Sequence, residues 1–263
     1  MNPTVLTVMN VKGGVGKTMT VINLAGQIAK QGHKVLLIDN DSQSSLTKIL
    51  NITNEYTIYD LYSNNKIGFN DVIVNFAKNI DVVPNTIESA VLESEIGSRR
   101  RKESILKDNL QSFKCDYDYI LVDNSPFLGL LVLNSLVMSD FYLPVIDNSP
   151  SALQGLTMVN KVIQKMKANG LNEELKMIGI LRNRFEKKTI FGKQFLEVAE
   201  EALKDKLFKT IVYDSVKYKE ASVMHKTIQG YAPKSTHAKA YEGLYYEILE
   251  RGNLKWMEIL KIV

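Results

Sequence analysis

The stretch Asn10-Val11-Lys12-Gly13-Gly14-Val15-Gly16-Lys17-Thr18 constrains the fold more than any other part of the chain. It follows a β-rich run, Thr4 to Met9, and leads into Val21, Leu24, Ala25 and Ile28, which fall on one face of a helix. A strand, a glycine-rich turn ending in Lys-Thr and then a helix is the setting of a phosphate-binding loop. Glycines let the backbone wrap around an anion with its N–H groups inward, and the helix N-terminus adds partial positive charge. Gly13, Gly14, Val15 and Gly16 supply the amides, Lys17 is placed to reach β- and γ-phosphates, and the Thr18 hydroxyl suits Mg²⁺. A strict Gly-x-x-x-x-Gly-Lys-Ser/Thr pattern wants Gly at position 11. This chain has Val11, and it adds a second lysine, Lys12.

The rest of the chain fits an α/β plan. Lys34 to Asp39, Ile80 to Pro84, Tyr119 to Asp123, Phe141 to Ile146, Lys176 to Leu181 and Phe208 to Val212 read as strands. Helical patterns separate them: short ones at Thr57 to Leu61 and Asn70 to Phe76, a long polar one from about Ile87 to Phe113, and an apolar stripe from Leu153 to Met166. Two more helical stretches follow the last strand. Alternation of this kind predicts a mostly parallel central sheet with helices on both faces. With 263 residues, 45% of them hydrophobic, and no linker or repeat, the chain reads as a single domain over 1–263. One cysteine, Cys115, excludes a disulfide framework and a cysteine-based metal site. No signal peptide and no membrane-spanning run is visible, so a cytoplasmic protein is expected.

Ligands of such sheets bind beyond the carboxyl ends of the strands. The loop at 10–18, Asp39 to Gln43 and Asp123 to Pro126 all fall at such ends, so one site is expected to gather them. Phosphoryl transfer is mainly positioning and charge neutralisation. Asp123 stands like a Walker B carboxylate, and Asp39 and Asp41 offer two more, one to orient a water. Each aspartate also suits a helix cap, which is the competing reading.

The loop Lys-Gly-Gly-Val-Gly-Lys-Thr resembles the deviant Walker A motif of the ParA/MinD superfamily of P-loop ATPases. Asp39-Asn40-Asp41-Ser42-Gln43 is similar to that group's second motif, Asp118 to Pro126 to its Walker B segment, and the likeness runs on through Leu133-Asn134-Ser135-Leu136 and Ala152 to Leu156. Glu220-Ala221-Ser222 and the helix around Tyr241 resemble its C-terminal part. The resemblance implies a P-loop NTPase fold, ATP and Mg²⁺ as cofactors, and a homodimer that sandwiches nucleotide. It implies catalytic roles for Lys12, acting on the partner's phosphates, and for Lys17 and Asp41. Nucleotide contacts extend from Lys12 through Met19, and Mg²⁺ is supported by Thr18, Asp39 and Asp123. Met19, Ser42 and Asn124-Ser125 depart from the usual residues, and the last two put the hydrolysis rate in question. Val212-Tyr213-Asp214-Ser215 lacks the usual Ile-Pro-Arg. Asn183 is equally an adenine contact or a turn residue.

ParA-like members bind non-specific DNA and are stimulated by a ParB-type partner; MinD-like members bind membranes through a C-terminal amphipathic helix. Net charge is +4, mild for a polyanion binder. Basic residues recur at Arg182, Arg184, Lys187, Lys188, Lys217, Lys219, Lys226, Lys234 and Lys239, and again at Arg99-Arg100-Arg101-Lys102. Arg182, Arg184, Lys217 and Lys219 are the candidate DNA contacts, since phosphate binding needs only cations on one face. Leu254 to Val263 carries an apolar face with Trp256 but few cations, so a membrane is the weaker expectation. Nine residues precede Asn10, so no helix-turn-helix extension ahead of the loop is expected. The lone cysteine argues against a nitrogenase-type iron protein, and a biosynthetic ligase would have no use for Lys12. The expectation is a nucleoid-associated DNA-partition ATPase.

Overall fold

The computed structural model describes residues 2–149, 151–185 and 199–254. Strands β1 (Thr4–Met9), β2 (Val35–Asn40), β3 (Val74–Ala77), β4 (Ile80–Val83), β5 (Tyr119–Asn124), β6 (Phe141–Ile146), β7 (Lys176–Met177), β8 (Ile180–Phe185) and β9 (Leu207–Tyr213) make one sheet. Their order is β3-β4-β2-β5-β1-β6-β8-β9, with β7 also pairing β6. Every pairing is parallel except that of β3 with β4. The expected mostly parallel sheet is therefore present.

The apolar runs of β2 and β5 are buried along their whole length because helices cover both faces. Side chains alternate between the faces. Leu6, Val8, Leu37 and Leu121 pack with Leu24 and Ile28 of α1 (Lys17–Lys30) and with Tyr241 and Tyr245 of the C-terminal helix Thr236–Arg251. Val5, Leu36, Ile38, Ile120 and Val122 turn to the other side, against Leu61, Leu106 and Leu131. A parallel strand with a period of two thus feeds two cores at once.

Four readings of the sequence need correction. The segment expected as a helix from Asn70 to Phe76 is helical only over Phe69–Val72 and then becomes β3, an antiparallel edge strand. Its β-branched and aromatic residues alternate, which favours a strand once a partner is at hand. The long helix expected from Ile87 to Phe113 is broken into 3₁₀ and α segments: one ends at Ile96, and Arg101, at a φ of 56°, precedes the next. The single strand expected from Lys176 to Leu181 is interrupted at Gly179, whose φ is 152°. Among the described residues after β9 there are three helices, Val216–Val223, Ile228–Tyr231 and Thr236–Arg251, where two were expected. Among the described residues no helix is long and apolar enough to cross a membrane. Residues 255–263, with Trp256 and most of the C-terminal amphipathic stretch, lie outside the described residues, as do Lys187 and Lys188.

Candidate functional site

β1 sits at the centre of the sheet between β5 and β6, so the segment leaving its carboxyl end faces the crevice where connections diverge. Residues of the glycine loop line a cavity of about 500 Å³ there, together with Asp41, Asn183, Arg184, Lys219 and Tyr241. Gly14 and Gly16 have φ values of 77° and 93°, in the left-handed region that favours glycine. A Cβ on Gly16 would also collide with the amide of Asn183. The loop is set from below by Asn10, whose side chain donates to the Val145 carbonyl and accepts from the Lys12 N–H at 3.0 Å.

Lys17 is buried at the first turn of α1, and its ammonium reaches back to the Lys12 carbonyl at 3.5 Å. Burial pushes this ammonium below its ordinary value, while the Asp123 and Asp41 carboxylates pull it back up. Asp39 and Asp123 are cross-strand neighbours in the β2–β5 register. Asp39 accepts the Thr47 N–H at 2.9 Å, the Thr47 hydroxyl at 2.6 Å and the Asp41 N–H at 3.3 Å. Burial raises its carboxyl to about 6 against those hydrogen bonds. Thr47 in turn accepts the Asn85 N–H, and Asn85 donates to the Asp41 carbonyl, so Asp39 anchors the turn that presents Asp41. Asp41 accepts the Gln43 N–H at 3.0 Å and lines the cavity.

Asp123 is different. It is fully buried, and neither carboxylate oxygen meets a hydrogen-bond partner at ordinary geometry. Burial and the neighbouring Asp39 raise it to about 8, while the Thr18 hydroxyl and Lys17 pull it back. An orphaned buried carboxylate beside a hydroxyl is a fitting donor pair for a hard divalent cation. Among the described residues no cluster of three or more His, Cys, Asp or Glu could hold a metal ion alone. A cation held by Thr18 and Asp123 would complete its shell with phosphate oxygens and water, as Mg²⁺ commonly does.

Lys12, in the same loop, is not among the residues that line the cavity. Its ammonium pairs with Asp147 at 2.5 Å, with the lysine side chain 37% and the aspartate 17% exposed. Burial raises the Asp147 carboxyl, but the Lys12 and Ser149 hydrogen bonds outweigh it, and the net shift is downward.

Several expected residues sit elsewhere than the sequence suggested. Arg182 is buried; it donates to the Phe208 carbonyl at 3.0 Å and to Glu200 at 2.7 Å, bracing β8 against β9. A buried, paired guanidinium has no face to offer DNA, so Arg182 is removed from that set. Arg184 lies on the cavity wall, not on a remote surface. Of the basic run at 99–102, Arg99 donates to the Tyr62 and Ser63 carbonyls, Arg101 pairs with Asp108, and Lys102 donates to the Gly97 carbonyl. Those three hold the broken helices together. Lys217 and Lys219 are exposed on the helix Val216–Val223, and Lys219 also reaches the cavity wall. Asn183 donates to the Gly16 carbonyl and the Thr20 hydroxyl, both at 3.1 Å, so its amide hydrogens are committed to the loop and the first turn of α1. Asn124 points to the other face, bonded to Asn40 and the Val8 carbonyl, and Ser42 lines a separate recess of about 160 Å³.

The sequence reading missed Asp147, Thr47 and Asn85. Asp147, just past β6, carried a signal, since it too stands at a strand's carboxyl end. Thr47 and Asn85 carried none, because nothing local reveals which helix a buried aspartate will cap.

A family model described as an AAA domain matches residues 3–177. The sporulation initiation inhibitor protein Soj of Bacillus subtilis is 33% identical over 251 residues, covering 94% of this chain and 99% of that protein. The chromosome partitioning protein ParA of Myxococcus xanthus is 33% identical over 254 residues, covering 95% of this chain and 89% of that protein. Among solved structures, a putative plasmid partition protein from Borrelia burgdorferi B31 bound to AMPPNP superposes with a TM-score of 0.82 at 25% identity, covering 96% of this chain and 99% of that one.

Proposed function

This chain belongs to the ParA/Soj family, and from that premise we propose that it is an ATP-hydrolysing DNA-partition protein. Its ATP-bound form is a sandwich dimer that holds non-specific DNA and releases it on hydrolysis, stimulated by a ParB-type partner. The observation that carries the reading is the loop itself. It has two lysines: Lys17 lines the cavity, while Lys12 is not among the lining residues and pairs with Asp147.

The residues divide the chemistry. Backbone amides of Gly13 to Gly16 and the Lys17 ammonium bind and neutralise the β- and γ-phosphates of ATP. Thr18 and Asp123 would hold Mg²⁺, which would supply charge neutralisation on the phosphates. Asp41 orients the water that attacks the γ-phosphorus; the bond to the bridging oxygen breaks, giving ADP and phosphate. Asp39 holds the Asp41 turn rather than the cation, because its oxygens already accept three hydrogen bonds. A Lys12 from a second copy adds a cation in trans at the transition state, as an arginine finger does.

Lys217 and Lys219 contact DNA phosphates without reading bases. Two copies double that face, so ATP controls DNA affinity through valency. Sedimentation with DNA or with liposomes, in ATP, ADP or no nucleotide, tests the reading. ATP-dependent pelleting with DNA supports it. Pelleting with liposomes alone overturns it in favour of a membrane-surface ATPase, and no nucleotide dependence overturns both.

A further inference from the structure

Arg184 has a geometry that a surface DNA contact does not call for. It sits just before the end of β8 with a φ of 55°, a left-handed conformation that is costly for an arginine. Its Nη1 donates to the Gly14 carbonyl at 2.6 Å, and its Nε lies 3.6 Å from Asp214 Oδ1, just past the end of β9. The neighbouring Asn183 accepts the Arg184 N–H at 2.8 Å while donating to the Gly16 carbonyl at 3.1 Å. One guanidinium therefore ties the glycine loop to the ends of two strands that are remote from it in sequence.

We propose that Arg184, with Asp214 as its counter-charge, is a positioning residue for nucleotide binding, holding the phosphate loop open to an anion. The inference rests on the cavity's being a nucleoside-triphosphate site. A loop accepts phosphate only when its N–H groups point inward, which turns its carbonyls out and leaves them to find donors elsewhere. Gly14, at a φ of 77°, is the position where the peptide turns, and its carbonyl accepts one hydrogen bond from Arg184 Nη1. Holding that carbonyl fixes the loop before the ligand arrives, so ordering it costs less on binding. The guanidinium also places a further positive charge on the wall of the cavity that Lys17 lines. The planar fork matters, because a lysine ammonium has no rigid pair of donors aimed along two directions. To serve DNA instead, the side chain would have to abandon both contacts.

The test uses the full chain with Arg184→Ala, Arg184→Lys and Asp214→Asn, without DNA. Equilibrium binding and dissociation of fluorescent ADP and of a fluorescent non-hydrolysable triphosphate analogue are read, with the melting temperature of the nucleotide-free protein as control. For Arg184→Ala the expected result is about tenfold weaker binding of both nucleotides, the loss of one charge-assisted hydrogen bond, through faster dissociation. KM for ATP rises while kcat stays within about threefold, as for an interaction equal in ground and transition states. Arg184→Lys restores less than half of the loss, and Asp214→Asn shifts affinity in the same direction by a smaller factor. Nucleotide affinity within about twofold of wild type in Arg184→Ala and Asp214→Asn overturns the proposal. A fall in melting temperature with unchanged affinity overturns it too. If the wild-type chain itself binds neither nucleotide, the nucleotide reading fails and takes this one with it.

Discussion

Asp39 and Asp123 lie side by side on adjacent parallel strands, yet the first accepts three hydrogen bonds and the second none. The pair therefore splits into a brace and a site. Removing the brace in Asp39→Ala leaves the Thr47 N–H and hydroxyl without an acceptor in a buried setting. Unfolding free energy should fall by about 2–3 kcal/mol. Asp41→Ala breaks only a local turn contact; it should cost under about 1 kcal/mol while lowering the hydrolysis rate at least about a hundredfold. Urea unfolding and a phosphate-release assay on both variants check the contrast. A stable Asp39→Ala protein with no hydrolysis would move Asp39 into the chemistry.

Asp123 makes the nucleotide-free protein sensitive to pH. Its folded value is raised from 3.8 to about 8, so between those values the native state keeps a proton that the unfolded chain has released. Stability then falls as pH rises through that window, by up to about 1.4 kcal/mol per unit, and levels off above it. Asp39, raised to about 6, adds the same sign only below that value. Urea midpoints at about pH 6.5 and about pH 8.5 should therefore drop for the wild type and change much less for Asp123→Asn. Parallel curves for the two proteins would show that Asp123 is already ionised in the empty site.

The phosphate loop and the convergence of Asp41 and Asp123 were legible because they depend on local chemistry and on one topological rule. A glycine turn between strand and helix can do little else, and parallel strands end on the same side. What was not legible depends on distant partners. Arg182 and Arg184 are two residues apart in a basic stretch, yet one is buried against Phe208 and the other spans the cavity rim. A regular strand would put 182 and 184 on one side, but Arg184 takes a φ of 55° where the β8–β9 register shifts, so the alternation fails there. The Arg99 to Lys102 run looked like a charged surface and proved to be a set of carbonyl and carboxylate caps on broken helices. Val74 to Ala77 became a strand because β4 offered it an edge, which no local pattern announces.

The pairing of Lys12 with Asp147 has a consequence for assembly. A lysine that must reach a second copy's phosphates has first to leave its own aspartate. The pair is partly exposed, so releasing it costs about 0.5–1 kcal/mol. Two such pairs open in each dimer, about 1–2 kcal/mol in all, so Asp147→Asn should favour the nucleotide-bound dimer about five- to thirtyfold, read by analytical ultracentrifugation with a non-hydrolysable triphosphate. Lys12→Ala should keep the melting temperature and lose hydrolysis. Dimerisation of Asp147→Asn that needs more protein than the wild type would show instead that Asp147 orients Lys12 for its work in the dimer.

Arg182 and the pair Lys217 and Lys219 separate structural from electrostatic basic residues. Each phosphate neutralised on duplex DNA contributes about −0.9 to the slope of log affinity against log salt. Two lysines from each of two copies make four contacts, so Lys217→Ala with Lys219→Ala should flatten that slope by about 3 to 4 without changing the melting temperature. Arg182→Ala should do the reverse. It strips the buried Phe208 carbonyl of its donor, which costs about 1–3 kcal/mol of stability, and it leaves the salt slope of the folded fraction as it was. Fluorescence anisotropy with duplex DNA over a salt series, in the presence of a non-hydrolysable triphosphate, reads both. An unchanged slope in the double lysine variant would shift the DNA face away from the helix Val216–Val223.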